Sequence, residues 1–295
     1  MKSKASEVVF AALCFVWGST WVAIKVGLEY LPPFLFAGIR FATATVALLL
    51  LMKLMHAHMP RDRSSWSLML FLGVFQITVP YGLVFWGEQY ISSGLSAVLF
   101  ATLPFFVSVF AHFFVGERLT KLKVAGVFAS FMGLVAIFWR DIAAFQSAVG
   151  QLSLFGSLAV VGSAISGGLG NVVGKRHAEK IDPAANVLVQ MLMGTLVLFF
   201  IDLVTERAFV TDFTFAAVVS ILYLGVVGSA LGFVALYWLL KRMTATNVSL
   251  VTFVNPIVAL LLGWVVLGET PDPNIGIGAV LILAGVYLTT RPSST

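Results

Sequence analysis

Charge and cysteine are both scarce in this 295-residue chain. Only 11% of its residues are charged and 60% are hydrophobic, whereas a typical soluble domain carries about 25% charged residues. A soluble fold of this size would have too little polar surface to stay dispersed. A mean hydropathy of +1.01 likewise makes lipid the main solvent. The one cysteine, Cys14, excludes an internal disulfide. With only four scattered histidines beside it, no metal or cofactor site is expected. His56 and His58 have no thiol or acidic neighbours and read as solvated, and His112 is the only histidine inside an apolar run. No GxxxxGK[ST] phosphate loop occurs, which removes ATP-driven pumping by this chain alone. No HExxH pair, clustered nucleophile and base, selectivity filter or charged ring is present, which disfavours an intramembrane enzyme and an ion channel.

Apolar runs fill the space that charge leaves. Roughly 20 such residues span the hydrocarbon core, and ten stretches qualify: 8–28, 33–54, 66–86, 91–115, 122–139, 152–173, 184–204, 214–239, 245–267 and 274–290. The first is too long for a signal-peptide core and lacks a small-residue cleavage site, so it is expected to remain as a helix. The net charge of +5 does not indicate nucleic acid, because the basic residues form short clusters between apolar runs. Alternate gaps hold Lys2, Lys4, Lys53, Arg61, Arg63, Arg118, Lys121, Lys123, Lys175, Arg176, Lys180, Lys241, Arg242 and Arg291, against Arg140 and Arg207 on the other side. The positive-inside rule therefore places both termini in the cytoplasm.

An offset of 152 residues aligns the chain with itself without gaps. Trp86 meets Trp238, Pro104 meets Pro256, Gly116-Glu117 meets Gly268-Glu269, Gly126 meets Gly278 and Gly133 meets Gly285. The offset covers five spans, an odd number, so the second copy must be inserted upside down. The expected architecture is all-α: ten transmembrane helices as two inverted five-helix repeats, residues 1–145 and 146–295, around a central cavity. Inverted repeats carry their substrate site near the midplane and work by rocking one half against the other.

Trp17-Gly18-Ser19-Thr20-Trp21, Arg40-Phe41, the run from Gly87-Glu88 through Pro104 to Gly116-Glu117-Arg118, and Val254-Asn255-Pro256 through Gly268-Glu269 together resemble the EamA family of the drug/metabolite transporter superfamily. The resemblance covers nearly the whole chain. It implies a bacterial inner-membrane carrier that exports or exchanges small organic solutes such as amino acids, their analogues or drugs. A membrane-embedded enzyme and a channel-like facilitator stand as alternatives. The expected partners are a small-molecule solute and the lipid bilayer, with the chain acting as a monomer or homo-oligomer.

Candidate cavity residues are the mid-span aromatics and polar groups. Trp17, Trp21, Tyr81 and Tyr237 offer flat apolar surface with a polar handle, while Trp86 and Trp238 lie nearer helix ends and suit an interfacial belt. Ser19, Thr20, Gln76, Asn171 and Asn255 supply neutral donors and acceptors, toward either a cavity or a neighbouring helix. Lys25 and Arg40 are the basic residues inside spans. Lys25 either snorkels outward or faces the cavity; Arg40 is expected to bond carbonyls or a carboxylate, with Glu29 and Glu88 as partners. Glu88 reads as interfacially solvated or as a proton-coupling group. Glu117 and Glu269 read as anions at the N-termini of the helices that follow them. Pro104 and Pro256 free the carbonyls of Phe100 and Thr252 and read as hinges or as structural kinks. Ser163/Gly167, Gly170/Gly174 and Gly228/Gly232 mark close helix packing.

Overall fold

The computed structural model describes residues 4–55, 59–116, 121–143, 147–176, 183–206, 211–240, 242, 251–270 and 273–290. Among these residues every regular element is helical. Lipid imposes that choice, since backbone groups without water must find their partners within the segment. The elements are α1 (Lys4–Leu28), α2 (Pro33–Met55), α3 (Arg63–Leu72), a first π segment (Gly73–Thr78), α4 (Val79–Glu88), α5 (Ser93–Phe100), α6 (Leu103–Val115) and α7 (Lys121–Ala143). There follow α8 (Ala148–Arg176), α9 (Pro183–Thr205), α10 (Phe215–Leu222), a second π segment (Tyr223–Leu231), α11 (Gly232–Leu240), α12 (Val251–Leu267) and α13 (Pro273–Thr290).

Seven helical stretches among the described residues are long and apolar enough to cross a bilayer: Lys4–Leu28, Pro33–Lys53, Arg63–Glu88, Ser93–Phe114, Ala148–Gly174, Ala184–Thr205 and Phe215–Leu236. The expected spans at 122–139, 245–267 and 274–290 coincide with α7, α12 and α13, the described part of the second beginning at Val251. Large apolar side chains cover the periphery. Phe113, Phe128, Trp139, Phe200, Phe215 and Trp264 are all more than half exposed, which water would penalise and acyl chains would not. The chain is thus built as a multi-pass membrane protein.

Two sequence expectations about backbone breaks fare differently. A kink was expected at Pro104, but the helix breaks outright: α5 ends at Phe100, and the Thr102 hydroxyl donates to Leu99 O at 2.6 Å. Pro104 then occupies the first turn of α6, where its missing N–H has no intrahelical role. Pro256, by contrast, lies inside the continuous α12. Gly116 and Gly268 end α6 and α12 with φ of 74° and 66°, the left-handed conformation in which glycine has no Cβ penalty.

Small residues set the closest helix contacts. α7 and α13 lie face to face, and a Cβ on Gly133 would sit 2.7 Å from the Gly278 carbonyl oxygen. Ser130 donates to Ile282 O across the same contact at 3.4 Å. α1 packs on α12, α2 on α9, and α4 and α6 on α8. Gly167 meets Leu103 of α6, and Gly170 meets the first π segment, as small-residue spacing on α8 leads one to expect. Phe36, Phe41 and Phe85 are fully buried between α2, α4 and their neighbours. At one end of the bundle Asp212 N–H donates to Tyr30 O at 3.0 Å, tying the start of the α10 segment to the α1–α2 corner.

Candidate functional site

The π segments organise the site, and neither was legible from hydropathy. A π turn widens the helix and releases backbone groups from the regular ladder, a feature frequent at functional sites. In the second π segment the Gly228 carbonyl accepts from Trp17 Nε1 at 3.0 Å. Thr20 packs on Gly228, and the hydroxyls of Ser19 and Tyr223 share a hydrogen bond of 2.6 Å. Gly225 admits the α2 backbone, since a Cβ there would lie 2.9 Å from Arg40 O.

Arg40 is the centre of this cluster. It is 2% exposed, and its Nε donates to Ser229 Oγ in the second π segment at 3.1 Å. The guanidinium lies 4.7 Å from the Tyr81 ring centroid, with Phe41 and Phe85 at 5.4 and 5.7 Å. The expected carbonyl or carboxylate partners do not appear among its hydrogen bonds. Aromatic faces take their place, because a planar, weakly hydrated guanidinium is easier to desolvate against a ring than an ammonium. Its Nη1 is buried and without a hydrogen-bond partner among the described residues.

Glu88 corrects the expectation of interfacial solvation. It is 0% exposed, and neither carboxylate oxygen has a hydrogen-bond partner among the described residues. Its helix end does not reach the surface, because α8 presses on Gly87 through Gly156, Ala159 and Val160. Lys25 does not snorkel either. Its ammonium donates to the carbonyls of Glu88 at 2.6 Å, Ile91 at 2.7 Å and Gln89 at 3.4 Å, so it plugs the C-terminus of α4. Both cations lie within electrostatic reach of the Glu88 carboxylate, as does Glu269.

Two carboxylates close the same end. Glu269 does cap a helix N-terminus, but that of α5 and not of α13: it accepts from Ser93 N–H and Ser93 Oγ, each at 2.8 Å, and from Gly94 N–H at 3.4 Å. Glu206 was not singled out in the sequence. It accepts from Phe34 N–H at 3.0 Å and Leu35 N–H at 3.1 Å, anchoring the N-terminus of α2. Burial pushes its carboxyl up to about 7, against the two backbone donors and with Asp202 adding to the rise. The helix dipole at each N-terminus favours such an anion.

The remaining candidates scatter. Trp21 packs against Phe100 at 5.5 Å, away from Arg40. Gln76 Nε2 donates to Asn171 Oδ1 at 2.9 Å, tying the first π segment to α8. Asn255 has a buried Oδ1 without a partner among the described residues, next to α1 at Gly18. The side chains of Tyr237 and Thr252, with His56, His58 and Glu117, lie outside the described residues. Trp86 meets Tyr90 edge to face, and the Arg242 guanidinium lies over the Trp238 ring. The structure therefore brings Trp17, Ser19, Thr20, Arg40 and Tyr81 together around Ser229 and Tyr223. The only sequence hint of those last two was small and polar residues in a glycine-rich apolar run.

Comparison with known proteins fits this arrangement of helices around a buried polar cluster. A model of the EamA-like transporter family matches residues 5–139 and, a second time, residues 154–291. The chain belongs to the EamA-like transporter family. This EamA-like protein is 30% identical over 279 residues to the uncharacterized transporter YoaV of Bacillus subtilis (strain 168), covering 95% of this chain and 94% of that one. It is 28% identical over 282 residues to the uncharacterized inner membrane transporter YedA of Escherichia coli (strain K12), covering 95% and 88%. A solved crystal structure shares its fold with a TM-score of 0.66 at 19% identity, over 98% of this chain and 99% of the other. This EamA-like protein is a membrane transporter.

Proposed function

We propose that this transporter is a secondary carrier that exports small organic solutes, such as amino acids, their analogues or drugs, across the bacterial inner membrane. It works as two inverted five-helix halves, residues 1–145 and 146–295, that alternate access to a site between them. The observation that carries this reading is the Arg40–Ser229 contact. It joins one half to the other at a π segment and leaves the guanidinium Nη1 buried without a hydrogen-bond partner among the described residues. A desolvated cation beside the Tyr81, Phe41 and Phe85 rings suits an organic solute bearing an anionic group.

Several features support the inverted repeat. The glycines at the left-handed ends of α6 and α12 stand 152 residues apart, as do Gly73 and Gly225 of the two π segments. α7 packs on α13, its counterpart, and Ser130 bonds the carbonyl of Ile282, the residue 152 positions on. The pairs α1–α12 and α6–α8 exchange under the same offset. The excess of basic residues in alternate loops supports cytoplasmic termini, with the corner closed by Lys25, Glu206 and Glu269 outside. Export follows the family resemblance.

Purified protein in proteoliposomes, given a panel of amino acids, sugars and organic cations with and without a proton gradient, tests the reading. Flux of at least one member supports it, and no flux of any member sinks it. Reporter fusions after Lys180 and after Arg207 should sit on opposite sides of the membrane. Reporters on the same side would end the inverted-repeat proposal.

A further inference from the structure

Glu88 stands apart from every other acidic side chain described. Glu206 and Glu269 each hold backbone donors, while Glu88 is wholly enclosed and accepts no hydrogen bond among the described residues. A buried charge is sustained by a partner or relieved by a proton, and intramembrane carboxylates mark ion pathways for that reason. The ionisable groups facing it are Lys25 from α1, Arg40 from α2 and Glu269 beyond α12. Where α8 presses on Gly87, its residues are Gly156, Ala159 and Val160, none ionisable.

Neither cation is spent on the carboxylate. Lys25 is held by three carbonyls, one of them the backbone oxygen of Glu88 itself, and Arg40 is held by Ser229 and the aromatic faces. Each lies within electrostatic reach of the carboxylate if Glu88 becomes charged. The fold can therefore hold Glu88 in two protonation states, and the neutral one leaves the Lys25 plug intact.

We propose that Glu88 is the proton-carrying group of this transporter and that Lys25 converts its protonation state into opening or closing of the α4–α5 corner. With Glu88 neutral, Lys25 grips the carbonyls of Glu88, Gln89 and Ile91 and this end is shut. On loss of the proton the ammonium turns toward the new carboxylate, the carbonyls of α4 are released and the corner loosens. An O–H bond forms on a Glu88 oxygen with a proton from water at one face and breaks to water at the other. No electrons move. The counterpart of Glu88 in the second half is Leu240, so this chemistry belongs to one half only.

This inference rests on the transport reading, and its test separates the two. Infrared titration of the protein in lipid vesicles reads protonated carboxyl groups directly and needs no solute. The difference between wild type and Glu88→Gln should be a buried carboxyl band, and the same band should remain in that difference when both proteins also carry Glu206→Gln. With any solute active in the flux panel, Glu88→Gln should abolish accumulation driven by a proton gradient, bringing the concentration ratio to unity, yet retain solute–solute exchange. Glu88→Asp, which keeps the acid, should retain part of the driven accumulation. An unchanged band in Glu88→Gln, or driven accumulation at the wild-type level, overturns the proposal even where flux upholds the transport reading. If no panel solute moves, the transport reading fails and the infrared band alone decides on Glu88.

Discussion

Glu269 and Ser93 are joined by two hydrogen bonds of 2.8 Å, one from the Ser93 backbone N–H and one from its hydroxyl, although 176 residues separate them. The contact seats the start of α5 on the end of α12. A carboxylate at a helix N-terminus is stabilised by the free N–H groups and the dipole together. Hydrogen bonds to charged groups contribute about 1.5–3 kcal/mol. Glu269→Ala should lower thermal stability in detergent by an amount in that range, and Glu269→Gln by less. Equal losses in the two variants would mean that the charge contributes nothing.

Glu206 gives the fold a pH dependence. Its carboxyl titrates near 7 in the folded protein and near its ordinary value of 4.5 when unfolded. Between these values the folded state keeps a proton that the unfolded state releases, so stability falls as pH rises. The contribution is complete below about 4.5 and gone above about 7. Melting temperature in detergent should therefore decline across that window for wild type, and Glu206→Gln should flatten the decline. A steeper decline in the variant would contradict the assignment.

Arg40 and lysine are not interchangeable at this position. Lysine keeps the charge but loses the planar stack on Tyr81 and the Nε bond to Ser229. Arg40→Lys should reduce flux of an active solute about tenfold or more, on the order of one lost charge-assisted hydrogen bond. Its melting temperature should fall as well, because the Ser229 contact belongs to the fold. Ser229→Ala removes only the Nε partner and should have the smaller effect of the two on flux.

Close packing of α7 on α13 depends on the absence of side chains. A Cβ at Gly133 would stand 2.7 Å from Gly278 O and 2.8 Å from Ile282 Cγ1. Overpacking of this kind costs typically 1–3 kcal/mol. Gly133→Val should lower the melting temperature, whereas Gly276→Ala, which would meet nothing within 4 Å, should be neutral. Similar losses for both would remove the steric explanation.

Glycine-ended helices and the apolar periphery could be read from the chain because each is decided locally. Gly116 and Gly268 stop helices through their own backbone freedom, and Phe113 and Phe200 lie in apolar runs long enough to meet lipid. Partners of buried polar groups could not be read in that way. Lys25 reads as a snorkelling residue until α4 is placed against α1, when its ammonium finds the carbonyls of a corner 63 to 66 residues away. Glu88 reads as a helix-end acid until α8 covers Gly87. The π segments escaped notice because widening a helix by one residue per turn leaves its hydropathy unchanged.

Amino-acid order alone determined that this chain lives in lipid, that its helices recur at an offset of 152 residues, and that Arg40 and Lys25 lie among them. These follow from transfer free energy and chain connectivity, which need no knowledge of neighbours. Tertiary structure decided that the Arg40 guanidinium lies over the Tyr81 ring and reaches Ser229, that Glu269 seats α5 and that Glu88 is enclosed without a donor among the described residues. Every such contact joins residues distant along the chain, and the energy of a buried charge depends on what packing brings within a few ångströms of it.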